Sequence, residues 1–206
     1  MNDATPPSSA RRWTFQPFSE LILAISFLTC LPVPFLRTLD LPPLSRAMRM
    51  FPVAGAIIGA VSAVLLIAAK WLGLPAMLAA AVALALTALM TGALHEDGLS
   101  DVADGFGGGS TADERLEIMR DSRIGAYGTI ALVTIFLARA AIYMELFYKP
   151  PVVILLVLAG AASFSRSLVV DLLWATRPAR RDGLSVMAGR PERADALIAL
   201  ALGGVF

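Results

Sequence analysis

Four stretches of the chain are long and apolar enough to cross a bilayer, and nothing else in the sequence restricts the fold as much. A hydrocarbon core about 30 Å thick needs roughly 20 apolar residues in helix. The stretches run from about Phe51 to Leu74, Pro75 to Leu94, Gly125 to Tyr148 and Pro151 to Trp174. Composition agrees: 57% of residues are hydrophobic and 16% charged, against about 25% charged in ordinary soluble domains. The expected fold is all-α, a polytopic integral membrane bundle of helices. Gly55 and Gly59 form a G-x-x-x-G step in the first span, a spacing that lets two helices approach closely but is frequent in any Ala/Gly-rich span.

Two further apolar runs do not meet the requirement. Leu21 to Leu36 contains Pro32 and Pro34 and reads as a re-entrant or interfacial helix rather than a signal-peptide core. Ala194 to Phe206 has 13 residues and would rise only about 20 Å, so it reads as a span cut short. The chain then divides into a polar tail, 1–17, and one membrane-embedded domain, 18–206.

The basic residues set the orientation. Arg37, Arg46 and Arg49 precede the first span, and Arg115, Arg120 and Arg123 lie between the second and third. Arg177, Arg180, Arg181, Arg190 and Arg193 follow the fourth, whereas the two remaining turns hold only Lys70 and Lys149. By the positive-inside rule the N-terminus and both long loops are cytoplasmic. Arg outnumbers Lys, 15 to two, a bias that suits bidentate phosphate binding and equally suits a GC-rich genome.

The loop after the second span reads His95-Glu96-Asp97-Gly98-Leu99-Ser100-Asp101-Val102-Ala103-Asp104-Gly105. If the helix continues past the membrane, Asp97, Asp101 and Asp104 fall at i, i+4 and i+7 on one face. Three carboxylates so stacked repel one another, and hard divalent cations favour clustered carboxylate oxygens. A solvated acidic face is the alternative. The run Gly105-Phe106-Gly107-Gly108-Gly109 is expected to end the helix. A second helix should start near Asp113, with Ser110 or Thr111 as its N-cap. Asp121 could add to the metal cluster, and Arg120 and Arg123 could bind phosphate.

Inside the spans lie Arg139, Glu145, Arg166 and Asp171. A charge at mid-bilayer costs on the order of 3 kcal/mol on insertion scales, so each needs a partner or a cavity. Arg166 sits about 12 Å from the cytoplasmic end of its span, within reach of a pocket opening to the acidic loop. Arg139 and Glu145 are expected to pair across helices nearer the far side. Cys30, the one cysteine, excludes an intramolecular disulfide and reads as packing. The lone His95 suits hydrogen bonding better than ligation, because a Mg-type site prefers oxygen.

The stretches 95–109 and 115–128 together closely resemble the cobalamin synthase family, the adenosylcobinamide-GDP ribazoletransferases. The resemblance extends to 27–34, to Phe51-Pro52-Val53-Ala54-Gly55, to Ser165-Arg166 and to 179–184, and so covers the chain from about Phe18 onward. Cys30 departs from it, standing where a basic residue is common. The resemblance implies a Mg2+-dependent transferase of the bacterial cytoplasmic membrane, with its active loops on the cytoplasmic side. It would join adenosylcobinamide-GDP to α-ribazole or its 5′-phosphate, giving adenosylcobalamin or its 5′-phosphate and GMP. One or two metals would be held by Glu96, Asp97, Asp101 and Asp104. The catalytic candidates are Asp97, Asp101 and Asp104, with Asp104 as the hydroxyl's proton acceptor. The substrate-binding set is His95, Gly98, Gly105, Asp121, Ser122, Arg123 and Arg166.

The expected partners are these small molecules and the lipid bilayer; no nucleic acid is expected, and a homo-oligomer is left open. Two rival readings remain. A CDP-alcohol phosphotransferase of lipid synthesis also places aspartates at the end of a span, but its motif has an Ala-Arg pair that is absent after Asp97-Gly98. A transporter with an acidic mouth would place its charges near the bilayer midplane, usually in repeated halves.

Overall fold

The computed structural model describes residues 16–32 and 41–205. The polar tail up to residue 15, with Pro34 and Arg37, lies outside the described residues. The described elements are α1 (Pro17–Leu28), α2 (Leu44–Ala47) with a 3-10 turn (Met48–Met50), α3 (Phe51–Trp71), α4 (Ala76–Met90) and α5 (Leu94–Gly108). They continue with α6 (Ala112–Ile118), α7 (Ala126–Phe147), α8 (Pro151–Ala175), α9 (Leu184–Ala188) and α10 (Arg193–Gly203). Pro52 and Pro151 occupy first-turn positions of α3 and α8, where a missing N–H costs no hydrogen bond.

Among the described residues three helical stretches are long and apolar enough to span a membrane: Leu44–Trp71, Ala126–Phe147 and Pro151–Ala175. These match the expected first, third and fourth spans. The second differs. Its helix, α4, has 15 residues and stops at Met90, and the chain bends by 90° before α5 begins. Gly92 at φ 63° and Ala93 at φ 53° make that break. Left-handed backbone is easy for glycine and costly for alanine. The end of α1 docks on the same point: the Cys30 amide donates to the Met90 carbonyl at 2.8 Å. A Cβ on Gly92 would lie 2.5 Å from Cys30 Sγ.

The acidic segment is therefore a separate helix, not an extension of α4. It also runs further than expected, through the glycine run to Gly108. Gly105 and Gly109 bring α6 close, since a Cβ there would meet Met119 Cε at 2.7 Å and Arg115 N at 2.7 Å respectively. Thr111 caps α6 in a reciprocal box with Glu114.

Small residues set the tightest packing, that of α3 on α8. A Cβ on Gly55 would lie 2.5 Å from the Ala162 carbonyl oxygen. One on Gly59 would collide with the Leu158 carbonyl oxygen and lie 2.8 Å from Ala159 Cα. The G-x-x-x-G step is thus a true helix contact, made by backbone on backbone. A second junction is ionic. Arg49, expected as a loop charge, is 6% exposed and forks onto the fully buried Glu20 of α1. Its Nη1 also lies 3.6 Å from Asp195 Oδ1, so α1 and α10 are tied to the start of α3.

Gly59→Ala should force α3 and α8 apart. Overpacking of this kind costs about 1–3 kcal/mol, expected as a lower unfolding midpoint in detergent. An unchanged midpoint would mean the two helices can separate freely.

Candidate active site

Helix α5 is attached to α7 at both ends, and each attachment uses a carboxylate from the acidic motif. Near its start, Glu96 Oε1 accepts from Arg139 Nη1 at 2.9 Å. Near its end, Asp104 is 9% exposed, and both of its oxygens are engaged. Oδ2 accepts from the Gly125 amide at 2.8 Å and Oδ1 from the Gly128 amide at 2.9 Å. These amides belong to the first turn of α7, whose N–H groups have no intrahelical partner. A negative charge is favoured there by the helix dipole. The backbone can come this close because side chains are absent: a Cβ on Gly125 would lie 2.8 Å from Asp104 Cγ, and one on Gly128 3.0 Å from it.

The four expected metal ligands are thereby separated. Glu96 turns inward to Arg139 and Asp104 turns to the α7 amides. Asp97 and Asp101 remain on the outer side of α5, one turn apart, with no hydrogen bond or ion pair to either carboxylate. Among the described residues no group of three or more His, Cys, Asp or Glu side chains could hold a metal ion. A complete protein cage is not required for Mg2+, which is commonly held by one or two carboxylates with substrate phosphates and water. Asp97 and Asp101 fit that pattern: they repel one another, and Arg180 offsets only part of the charge at Asp101.

The residues after α6 form a shallow cleft of about 500 Å³ beside the α7 N-terminus, lined by Asp104, Asp121, Arg123 and Tyr127 among others. Arg123 Nε lies 3.0 Å from both Asp121 oxygens, and its Nη2 2.6 Å from Oδ2. Hydrogen bonding from Arg123 holds the Asp121 carboxyl below the usual range and raises the Arg123 guanidinium. Amides of Ser110 and Thr111 likewise lower Glu114. Ser122 and Gly98 are exposed, and Gly98 faces open space. Arg120 is held by Asp182, 2.9 Å away.

On its inner side α5 lines a half-open cavity of about 390 Å³. His95, Glu96, Arg139 and Arg166 reach it, with Ser62, Thr87 and Tyr143 at its polar wall. Those three hydroxyls satisfy one another: Thr87 Oγ1 donates to Ser62 Oγ at 2.9 Å, and Ser62 Oγ lies 2.8 Å from the Tyr143 hydroxyl. Of the two span charges expected to pair across helices, Arg139 does so and Glu145 does not. Arg139 turns to Glu96, about 20 Å along α7 from its first residue, and Glu145 is exposed. The motif's first carboxylate thus lies inside the bundle, not at its boundary. The sequence marked Arg139 as a charge needing a partner, but gave no sign that the partner was in the acidic loop. The hydroxyl trio carried no signal at all.

Fold and site together define a polytopic helical membrane protein whose helix α5 presents carboxylates outward and borders a charged cavity inward. The chain belongs to the Cobalamin-5-phosphate synthase family, which it matches over residues 20–206. It is 48% identical over 184 residues to a protein of Azorhizobium caulinodans named adenosylcobinamide-GDP ribazoletransferase, covering 88% of this chain and 69% of that one. Relatives of the same name from Bradyrhizobium diazoefficiens and Mesorhizobium japonicum are 44% and 42% identical. They cover 90% and 92% of this chain and 70% and 72% of their own lengths. No solved structure matches.

Replacing Asp104 with Ala should remove the α7 cap and lower stability by about 0.5–2 kcal/mol. Asp104→Asn, which keeps one carbonyl acceptor, should lose less. Thermal unfolding of both variants checks this, and equal stability to wild type in each would deny the cap.

Proposed function

We propose that this chain transfers the phosphoryl-cobinamide group of adenosylcobinamide-GDP to a ribose hydroxyl of α-ribazole or its 5′-phosphate. The new phosphodiester forms as the bond to GMP breaks, and GMP leaves with the electron pair. Family membership and the name of the relatives support this reaction. The observation in the fold that carries it is the partnerless pair Asp97 and Asp101, on the helix that also walls the charged cavity.

Phosphoryl transfer depends on positioning and charge neutralisation more than on covalent help. Asp97 and Asp101 would hold Mg2+, which when bound neutralises the diphosphate and the oxygen that departs. With Asp104 committed to the α7 amides, Asp97 and Asp101 are also the carboxylates left to accept the hydroxyl proton. Asp104 acts as a positioning residue, fixing where α5 ends against α7. Glu96 holds the other end through Arg139. The basic loops that flank the active face support a cytoplasmic orientation in the bacterial inner membrane. There the nucleotide substrates are dissolved.

In lipid nanodiscs, GMP release from adenosylcobinamide-GDP and α-ribazole 5′-phosphate should require Mg2+ and stop on chelation. Asp101→Asn should lower kcat at least a hundredfold while leaving the unfolding midpoint within a few degrees of wild type. Mg2+-independent turnover, or full activity in Asp101→Asn, would reject this assignment.

A further inference from the structure

The cavity inside the bundle holds a charge imbalance that its own residues do not resolve. Arg139 and Arg166 both reach it, and Glu96 is the one carboxylate among its lining residues. Glu96 gives Oε1 to Arg139, while its Oε2 is buried without a hydrogen-bond partner. Arg166 donates from Nη1 to Ser165 Oγ at 2.9 Å, and its Nε is buried with none. An unpartnered guanidinium nitrogen in an apolar bundle is costly. One positive charge stays uncompensated, so the missing occupant carries negative charge and accepts hydrogen bonds. Guanidinium groups in pairs suit a phosphate oxyanion best.

Size narrows the choice of occupant. About 390 Å³ stands at the small end of ligand pockets, which run roughly 300–1,000 Å³. A nucleoside monophosphate suits that space, whereas a corrin macrocycle carrying a nucleotide does not. The lining also includes the apolar Ile58, Ile142 and Leu158, against which an uncharged aromatic base could pack. The hydroxyls of Ser62, Thr87 and Tyr143 also line the cavity, and a ribose could exchange hydrogen bonds with them.

We propose that this cavity is the pocket for the nucleotide acceptor, and that Arg139 and Arg166 bind its phosphate and so determine the preference for a phosphorylated acceptor. The proposal rests on the transferase reading for the identity of the ligand, and on the cavity alone for its chemistry. His95 and Glu96 border the pocket and Asp97 follows them on α5, so the acceptor pocket and the acidic pair lie on the two faces of one helix.

The test compares α-ribazole 5′-phosphate with α-ribazole, using wild type, Arg166→Gln and the double variant Glu96→Gln/Arg139→Gln in nanodiscs. The double variant removes a buried cation together with its anion and so leaves the net charge of the cavity unchanged. Turnover gives the ratio of kcat/KM for the phosphorylated over the unphosphorylated acceptor. Equilibrium dialysis of the labelled nucleotide gives binding without turnover. Each charge-assisted contact should be worth ten- to a hundredfold, so the ratio should fall at least tenfold in both variants. A ratio within twofold of wild type in folded variants overturns the proposal. So does a raised KM for adenosylcobinamide-GDP with the ratio unchanged, which would place the donor's diphosphate in the cavity. If wild type releases no GMP but binds the phosphorylated nucleoside more tightly, and the variants lose that difference, the transferase reading falls and the pocket stands. If wild type shows neither turnover nor that preference, both fall.

Discussion

The attachment of α5 to α7 by Glu96 at one end and Asp104 at the other governs most of what the site can do. The two carboxylates stand eight positions apart on the helix, and both are bonded to α7. A helix fixed at two points can neither rotate nor slide, so its remaining side chains have set directions. Asp97 and Asp101 are left outside, and His95 is left against the cavity. The attachment depends in turn on the left-handed break at Gly92 and Ala93, which frees α5 from the direction of α4. It depends also on Gly125 and Gly128, where the α7 backbone approaches a carboxylate with no side chain between.

The buried charges fall into two groups. Arg49 with Glu20 and Asp195 is a closed set that joins α1 and α10 to the core. Breaking such a set leaves an uncompensated buried charge, commonly a loss of about 3–5 kcal/mol, which accounts for its place at a junction of three helices. Arg139, Glu96 and Arg166 form an open set. Two of its buried atoms lack partners, and it borders an empty volume rather than a packed junction. Unresolved charge beside a cavity marks a candidate functional site.

Small residues make both arrangements possible. Gly55 and Gly59 let α3 and α8 touch through their backbones, which brings Arg166 and Ser62 to the same cavity from opposite helices. In the acidic motif, Gly105 and Gly109 seat α6, while Gly98 faces open space beside Asp97 and leaves room for a ligand. The glycines of one motif therefore serve different ends, and sequence spacing alone does not sort them.

The sequence by itself determined the membrane bundle, the limits of three spans and the helical spacing of the acidic residues. Each follows from local rules: apolar length, proline position and the 3.6-residue repeat. The family motif was legible for the same reason, being contiguous. Only the tertiary structure decided that α4 breaks and turns, because two residues in left-handed conformation are held there by a contact from α1. It alone divided four carboxylates among an ion pair, a helix cap and an open pair, and joined Arg139 to Glu96 across 43 residues. The i, i+4, i+7 rule says which side chains share a face of one helix. What each of them meets there depends on where a different helix begins.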